Sequence, residues 1–484
     1  MNRILFVLTL LLLCILLPDQ ASCAEEVYSD PFVAHHATIP GAQLSAIWAI
    51  PFVCMLLSIA IGPLAAPHFW EAHFGKISVF WGLAFLIPCC LVYGWQIALY
   101  EFCHIMLLDY VSFIILLFAL FTVAGGVRLK GSLVGTPIVN TGILGIGTIL
   151  ASWMGTTGAA MLLIRPLLRA NAHRKYRVHS VVFFIFLVAN IGGSLTPLGD
   201  PPLFLGFLKG VSFFWTTKHL FIKTLLICLI LLALFFVIDS ILFKREGSPE
   251  APKSENSNEK LGLDGTINLL FLLGIIVAVL LSGMFPLGKA FSVYGVELEW
   301  QNILRDLALL IIAGLSWKFT SKKCRELNNF TWAPIEEVAK LFLGIFLSMI
   351  PAIAILRAGT EGALGPLIQM VSDQNGAPIN SMYFWLTGIL SSFLDNAPTY
   401  LVFFNTAGGN AQQLMTDMST TLIAISSGAV FMGANTYIGN APNFMVRAIA
   451  ENQGVKMPSF FGYMVWSIGI LIPIFGILTW LFFI

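Results

Sequence analysis

The sequence contains few charged residues. Only 11% of its 484 residues are Asp, Glu, Lys or Arg, whereas a soluble domain has about 25%. Hydrophobic residues make up 58% of the chain. This balance excludes a soluble globular domain and predicts an integral membrane protein surrounded by the lipid bilayer. The net charge of +1 argues against nucleic-acid binding, so we expect no nucleic-acid partner.

Metal-binding and disulfide patterns are also missing from the sequence. The eight cysteines are scattered, without CxxC or Cys/His pairs at ligand spacing, so neither a zinc site nor a disulfide framework is predicted. We expect no cofactor. An intramembrane hydrolase would need a nucleophile and a base at helical spacing, and the two repeated motifs described below contain neither His nor Cys. We therefore expect that the protein is not an enzyme.

The N-terminal residues form a segment of their own. A basic start at Arg3 is followed by an apolar run over 4–17 and by small residues over 22–24. Because the run is shorter than the ~20 residues that a membrane span needs, it predicts a secretory signal peptide over 1–24. Cleavage after residue 24 would leave the mature N-terminus outside. The alternative is an uncleaved first membrane helix.

Apolar stretches of spanning length, such as 78–100 and 110–127, recur along the rest of the chain. Together with the segments around the repeated motifs, they predict about 11 to 13 membrane passes of α-helix. A polar segment over 244–264, rich in Ser, Pro, Glu, Lys and Asn, predicts a solvated linker without regular structure. It separates a first membrane repeat with N-terminal helices, 25–243, from a second membrane repeat, 265–484.

Two motifs occur twice in the sequence, and both pairs are 240 positions apart. The segment ILASWMGT at 149–156 returns as ILSSFLDN at 389–396. The segment GSLTPLGDPP at 193–202 returns as GANTYIGNAP at 433–442. Interrupted apolar segments at matching positions of two halves are the best sequence indication of a transporter's binding site.

The charges that follow the two copies of the first motif differ. The residues 405–418, after the second copy, include neither Lys nor Arg. By the positive-inside rule, the flank of the first copy is cytoplasmic and that of the second faces outside, as an inverted repeat requires. The basic residues after the first copy are Arg165, Arg169, Arg174, Lys175 and Arg177.

The first motif pair predicts two hairpin tips or helix breaks. Thr156, Thr157 and Asn396 offer oxygen atoms that can replace part of an ion's hydration shell. For the two threonines, ordinary small-residue helix packing is the alternative. Asp395 is different, because an acid at the bilayer centre costs at least ~2.5 kcal/mol and usually marks a transport pathway or a proton relay.

The second motif pair predicts two broken helices. Gly192-Gly193 and Pro201-Pro202 are unfavourable in a continuous helix, so the chain is expected to unwind near 196–200. A turn at the membrane surface is the alternative. The candidate oxygen ligands for Na⁺ or Li⁺ are Asn190, Ser194, Thr196, Asn435, Thr436 and Asn440.

The acidic residues exchange places between the halves. Asp395 corresponds to Gly155, whereas Asp200 corresponds to Asn440. A two-fold relation would bring Asp200 and Asp395 into one cavity, where they would share a Na⁺ site and exchange protons for the cation. Neither motif contains Lys or Arg, which disfavours an anionic substrate. The sequence therefore predicts a Na⁺(Li⁺)/H⁺ antiporter of the bacterial inner membrane. The alternative is a Na⁺- or H⁺-coupled citrate/dicarboxylate symporter.

Three further acids lie in or near apolar segments. Asp239 is expected to be either a secondary proton-path residue or an interfacial end-cap. Glu101 and Asp109 lie near the ends of predicted spans, where we expect them to be solvated.

The motifs MGTTGA at 154–159, GSLTPLGDPP at 193–202 and LDNAPT at 394–399 resemble those of the ion-transporter superfamily. This superfamily includes arsenite pumps, NhaD-type sodium/proton antiporters and citrate or dicarboxylate carriers. The likeness is greatest to its antiporter and citrate-transporter branch, and it extends from about residue 44 to the end of the chain.

The resemblance implies an all-α polytopic membrane protein, often a homodimer, built as an inverted-repeat secondary transporter with two re-entrant hairpins and two broken helices. Carriers of the superfamily bind substrate and Na⁺ through Ser-Asn-Thr hairpin tips. Here the tips read Gly-Thr-Thr at 155–157 and Asp-Asn-Ala at 395–397. The differences remove a Ser/Asn pair from one tip and add an acid to the other, which agrees with an inorganic cation as the cargo.

Overall fold

The computed structural model describes residues 38–131, 133–249 and 262–484. The described chain is predominantly α-helical with four short strands, which confirms the predicted all-α polytopic membrane protein. The predicted signal peptide, 1–24, lies outside the described residues, as does the middle of the predicted linker.

The N-terminal part of the described chain forms four helices that precede the first motif. The 3₁₀ turns Gly41–Gln43 and Ala46–Ala49 come first. The helices are α1 (Ile50–Ala65), α2 (Pro67–Tyr93), α3 (Trp95–Ile105) and α4 (Val111–Ala124), and the π-helical segment Met106–Tyr110 joins α3 to α4.

The break between α2 and α3 differs from the predicted span 78–100. Gly94 has a φ of 90°, a conformation that glycine adopts readily and that ends helices, so α2 ends at Tyr93. From Trp95 the chain then continues as one apolar span of 30 residues to Ala124.

Glu101 and Asp109 therefore lie within this continuous span and not near its ends. The expectation of a solvated side chain is wrong for Asp109, whereas Glu101 is half-buried. Both oxygens of Asp109 accept hydrogen bonds from Lys209 Nζ, at 2.7 and 2.6 Å, and the Asp109 side chain is buried. Glu101 Oε1 accepts a hydrogen bond from the backbone of Ile39 at 3.3 Å.

The rest of the first half contains both of its motifs. Strand β1 (Arg128–Lys130) is followed by α5 (Pro137–Met154), α6 (Thr156–Ala170), α7 (Val178–Leu187), the 3₁₀ turn Ile191–Leu195, α8 (Pro201–Leu208) and α9 (Trp215–Arg245). We call α5 and α6 the first hairpin. The first broken helix consists of α7, the 3₁₀ turn, the unwound residues after it and α8.

The second half begins with strand β2 (Gly262–Asp264) and contains the second copy of each motif. Its first elements are α10 (Ile267–Met284), β3 (Lys289–Val293), β4 (Val296–Glu299), α11 (Trp300–Phe319), α12 (Lys322–Leu327), α13 (Ala333–Arg357), the 3₁₀ turn Gly359–Glu361 and α14 (Gly365–Met370). The second hairpin is α15 (Asn380–Phe393) with α16 (Asn396–Thr406). After α17 (Ala411–Met415), the second broken helix consists of α18 (Ser419–Met432), the 3₁₀ turn Gly433–Asn435, the residues that follow and α19 (Ala441–Asn452). Helix α20 (Phe460–Phe482) ends the chain.

The predicted linker has regular structure at both ends. Helix α9 continues to Arg245, and β2 pairs antiparallel with β1, with Arg128 opposite Asp264. Arg128 and Lys130 both form ion pairs with Asp264, and the hydrogen bond from Lys130 lowers the pKa of that carboxyl. The prediction of an unstructured segment over 244–264 is therefore wrong at its two ends, because complementary charges hold β2 against the first half.

Nine helical segments among the described residues are long and apolar enough to cross a bilayer. Their surroundings differ. In Val178–Leu195, 89% of the residues are buried inside the protein, whereas in Ile267–Met284 only 17% are. The first broken helix is thus enclosed by protein, whereas most of α10 lies on the outside of the chain. The other spans are Ala46–Ala65, Pro67–Tyr93, Trp95–Ala124, Pro137–Met154, Trp215–Arg245, Ala333–Arg357 and Phe460–Phe482.

The sequence repeat is also present in the hydrogen bonds. In the first half, the Thr196 hydroxyl donates to the backbone carbonyl of Ser152. In the second half, the Thr436 hydroxyl donates to that of Ser392, again at the 240-residue offset. Each hairpin is thereby held against the broken helix of its own half.

The bases of the two hairpins contact opposite ends of α9. Glu246, just after α9, accepts hydrogen bonds from the backbone of Lys175 and Tyr176 below the first hairpin, at 2.8 and 3.2 Å. Trp215, at the start of α9, donates to the carbonyl of Met415 below the second hairpin at 3.1 Å. A helix of 31 residues is about 46 Å long. These contacts agree with hairpins that enter the membrane from opposite sides.

Asp239 joins α9 to the base of the first hairpin. Its Oδ1 accepts from Arg174 at 2.7 Å and contacts His179 Nε2 at 2.8 Å, and its Oδ2 accepts from Asn140 at 2.9 Å. The side chains of Asp239 and Arg174 are both fully buried. Protein side chains enclose the Asp239 carboxylate, which makes it the buried ion-pair partner of Arg174.

We expect Asp239→Asn to destabilise the protein by about 3 to 5 kcal/mol, because the substitution leaves the buried Arg174 guanidinium without its charge partner. Fluorescence-monitored thermal unfolding of the purified protein measures the effect. Asp417→Asn, which changes an exposed acid, is the matched control. Equal unfolding temperatures for the two variants would contradict this account of the network.

Candidate functional site

The site centres on Asp200, at the unwound part of the first broken helix. Its backbone is extended, and Pro201 and Pro202 begin α8 directly after it. Proline is favoured in the first turn of a helix, where its missing N–H has no helical partner. The sequence thus ends the unwound segment at Asp200 and leaves its carboxylate inside the protein, where the residue is 2% exposed.

Three side chains donate hydrogen bonds to Asp200, and each comes from a different motif copy. Thr156, at the first hairpin tip, donates to Oδ1 at 3.1 Å. Asn440, in the second broken helix, donates to the same oxygen at 3.1 Å. Asn396, at the second hairpin tip, donates to Oδ2 at 2.5 Å. The Asp200 carboxylate therefore joins all four motif segments.

Asp395 lies at the second hairpin tip in a different environment. It precedes α16 and caps that helix, because its Oδ1 accepts from the backbone N–H of Ala397 at 3.1 Å. Unlike Asp200, it is half-buried. The two carboxylates are near each other, because Asn396, the residue next to Asp395, is hydrogen-bonded to Asp200. At the corresponding place in the first half, Gly155 forms the tip with a φ of 81°.

Two amide oxygens beside the second hairpin tip accept no hydrogen bond from any residue that the structure describes. They are Oδ1 of Asn396 and Oδ1 of Asn435, in residues that are 0% and 8% exposed. The amide nitrogen of Asn435 donates to Ser392 Oγ at 2.9 Å, which holds this side chain against the second hairpin. A buried acceptor without a partner costs about 1 to 3 kcal/mol, so both oxygens are suited to a cation or a donor.

Asn190 and Asn443 connect the two broken helices. The amide of Asn190 donates to Asn443 Oδ1 at 2.7 Å, and its own Oδ1 accepts from Asn440 at 3.3 Å. Asn443 in turn donates to the carbonyls of Gly433 and Thr436 at 2.8 and 2.9 Å. Sequence reasoning missed Asn443. The sequence offered one indication of its role: Asn443 is polar, whereas the corresponding residue of the first half is Leu203.

The structure does not bring all ten of the other predicted site residues to Asp200. Asn190, Asn396, Asn440 and Thr156 are part of its hydrogen-bond network. Asn435 and Asp395 lie beside the second hairpin tip. The hydroxyl of Ser194 is paired with Thr224 at 2.7 Å, and none of the hydrogen bonds to Asp200 comes from Thr157, Ser194, Thr196 or Thr436.

No basic side chain in the described part of the chain forms an ion pair with Asp200 or Asp395. Arg357, which packs against the second hairpin, donates instead to Asn405 at 2.8 Å. Asn405 lies nine positions after Asn396 in α16, so this guanidinium is about 14 Å along the helix from the tip. The two acids are thus surrounded by neutral polar groups.

Membrane-spanning helices, two hairpins and two broken helices around a buried polar cluster define a polytopic membrane transporter. A profile of the family described as "Putative citrate transport" matches residues 41–483. The chain therefore belongs to this citrate-transport family of ion transporters. No curated protein matches the chain. Family and fold together indicate a transporter rather than an enzyme.

Proposed function

We propose that this protein is a secondary active transporter of the bacterial inner membrane that exchanges Na⁺ or Li⁺ for H⁺. The observation that carries the proposal is the pair of acids, Asp200 and Asp395, where the four motif segments meet without a basic partner in the described chain. Uncompensated acids at membrane depth are costly, and they persist where they carry ions or protons.

The cation step follows from the oxygen atoms of the site. Na⁺ and Li⁺ are hard cations that prefer carboxylate, amide and hydroxyl oxygens. Asp395 supplies a half-buried carboxylate, and Asn396 and Asn435 each supply a buried oxygen without a hydrogen-bond donor. A bound cation would satisfy these oxygens and offset the negative charge.

The proton step follows from the proximity of the two carboxylates. Two acids within one partly dry site repel each other when both are ionised, so one of them is stabilised by either a proton or a metal cation. Cation and proton then compete for the same negative charge. Competition at a site that is open to one side at a time produces exchange.

Alternating access is supplied in this proposal by the inverted repeat, whose hairpins contact opposite ends of α9. The basic loop at 165–177 would lie in the cytoplasm and the mature N-terminus outside. The functional protein would be a homodimer in the bilayer, and it would require no cofactor besides the transported ions.

The second candidate is a Na⁺- or H⁺-coupled citrate/dicarboxylate symporter, which the family's description favours. Such a carrier must offset the charge of an anionic substrate. The side chains that could donate hydrogen bonds to an anion, such as Asn396, already donate to the Asp200 carboxylate. Arg357 donates to Asn405. The antiporter therefore fits the chemistry of this site better.

A pH-sensitive dye enclosed in proteoliposomes distinguishes the two candidates. In the antiporter, external Na⁺ enters as H⁺ leaves, so the lumen becomes more alkaline with Na⁺ and not with choline. Citrate should have no effect of its own. Uptake of labelled citrate without any Na⁺-driven change in internal pH would reject the antiporter in favour of the symporter.

A further inference from the structure

The second half of the protein differs from the first in its available oxygen atoms. Asp395, Asn396 and Asn435 of the second half correspond, at the 240-residue offset, to Gly155, Thr156 and Leu195. In the second half, Asn396 and Asn435 each carry an amide oxygen without a hydrogen-bond donor in the described chain, and Asp395 is an acid. Of their counterparts, only Thr156 has a side-chain oxygen, and its hydroxyl donates to Asp200.

We propose that the protein holds a single cation per chain, with its protein ligands drawn from the second half: Asp395, Asn396 and Asn435. This inference rests on the proposed cation transport and adds to it the number of ions and their location. The corresponding place in the first half cannot hold a second ion.

The side-chain geometry keeps the three ligand residues in place. Asp395 is fixed by its cap on α16, and Asn396 by its donation to Asp200 at 2.5 Å. Asn435 is fixed by its donation to Ser392 at 2.9 Å. In both amides the nitrogen makes the structural contact, so the oxygen remains for the ion.

Side chains donate hydrogen bonds to the backbone carbonyls in and around the 3₁₀ turn of the second broken helix. Its five consecutive carbonyls from Met432 to Thr436 each accept a hydrogen bond from a side chain. The donors are Ser392, Asn443, Tyr463 and Ser467, with Asn443 serving both Gly433 and Thr436. The three proposed ligands are side-chain oxygens, which substitution can remove one at a time.

In the first half, the place that corresponds to Asn435 is apolar. Leu195 has no side-chain oxygen, and the carbonyl of Leu195 accepts from Thr216 and Thr217 at the start of α9. Gly155 has no side chain. A cation placed there would lack counterparts of the Asp395 carboxylate and the Asn435 amide. The nearest carboxylate, that of Asp200, already accepts hydrogen bonds from Thr156, Asn396 and Asn440.

Asp200 has a separate role in this arrangement. Its oxygens accept three hydrogen bonds, from Thr156, Asn396 and Asn440, so they are already occupied by neutral donors. Asp200 positions Asn396 and contributes negative charge next to the ion, while the ion's ligand shell lies on the side of Asp395.

Equilibrium binding of radiolabelled sodium to the purified full-length protein tests the inference. We expect saturation at one ion per chain with a Hill coefficient of one. Two ions per chain would overturn the single site and leave the proposed transport intact. If no sodium bound at all, the proposed function itself would fail, so the two failures are distinguishable.

A reciprocal pair of variants tests the location. Asn435→Leu introduces the residue of the first half and should weaken sodium binding by at least about tenfold. Leu195→Asn introduces the reverse change and should leave the affinity within about twofold and the stoichiometry at one. Unchanged sodium affinity in a folded Asn435→Leu protein would overturn the location. If that variant does not fold, Asn435→Ser, which keeps a polar side chain but shortens it, is measured with the same expectation.

Discussion

Replacing Asp395 with asparagine is expected to abolish sodium-driven proton movement while the protein remains folded. The asparagine keeps an oxygen that can accept from the Ala397 N–H, and Asn is as good a helix cap as Asp, so α16 should retain its start. What the variant loses is the negative charge beside the amide oxygens of Asn396 and Asn435. If that charge is worth at least ~2.5 kcal/mol to the bound ion, sodium affinity falls about 70-fold or more.

The measurement is the sodium-dependent change in internal pH of proteoliposomes, with the amount of folded protein checked by thermal unfolding. Asp417→Asn is the matched control, because it removes an exposed acid beyond the base of the same hairpin. We expect that control to transport at the wild-type rate. Sodium-dependent transport by Asp395→Asn within twofold of the wild type would contradict the role of this carboxylate.

The second large effect is expected for Asp200→Asn, which should impair both transport and stability. The carboxylate accepts from Thr156, Asn396 and Asn440, and both of its oxygens are used. An asparagine presents an NH₂ group in place of one oxygen, so at least one buried donor faces another donor. Leaving a buried partner unsatisfied costs about 1 to 3 kcal/mol.

Asp200→Asn and Asp395→Asn are therefore expected to differ in one measurable respect. Both should lose transport, but only Asp200→Asn should lower the unfolding temperature clearly, because only Asp200 joins the four motif segments. Adding sodium should raise the unfolding temperature of the wild type and not that of Asp395→Asn, since a ligand that binds only the native state stabilises it. A wild-type unfolding temperature for Asp200→Asn would contradict the central position of its carboxylate.

The sequence was sufficient to locate the elements that form the site. Local chemistry determines them: Gly192-Gly193 and Pro201-Pro202 prevent a continuous helix, and an extended segment between them follows. The exchange of Gly155 for Asp395 and of Asp200 for Asn440 could likewise be seen in the sequence. The structure brings Asp200 into hydrogen-bond contact with Thr156 and Asn396, which a two-fold relation of the halves predicts.

Contacts between distant elements could not be predicted from sequence. The pairing of β1 with β2 joins Arg128 to Asp264 across the two halves. The polar composition of 244–264 gave no indication of this strand, because it is typical of an unstructured linker. The burial of Asp109 depends on Lys209, which is 100 positions away in the sequence. No local periodicity encodes such pairs. They become apparent only when the helices are packed.

The environments of the two acids also differ more than their sequence positions suggest. From their positions in the repeat, Asp200 and Asp395 are predicted to share one Na⁺ site. In the structure Asp200 is enclosed by three donors, whereas Asp395 is half-buried and caps a helix. The difference arises because Asp200 follows an unwound segment in the interior, while Asp395 lies at a helix start at the hairpin tip.

The most direct test of cation/proton exchange is uphill accumulation of radiolabelled sodium in proteoliposomes with an acidic lumen and no citrate present. The account predicts that protons leaving the lumen drive sodium to an internal concentration above the external one, and that a protonophore abolishes this accumulation. Asp395→Asn should show none. Sodium accumulation that requires citrate in the medium and does not respond to the pH gradient would contradict the account.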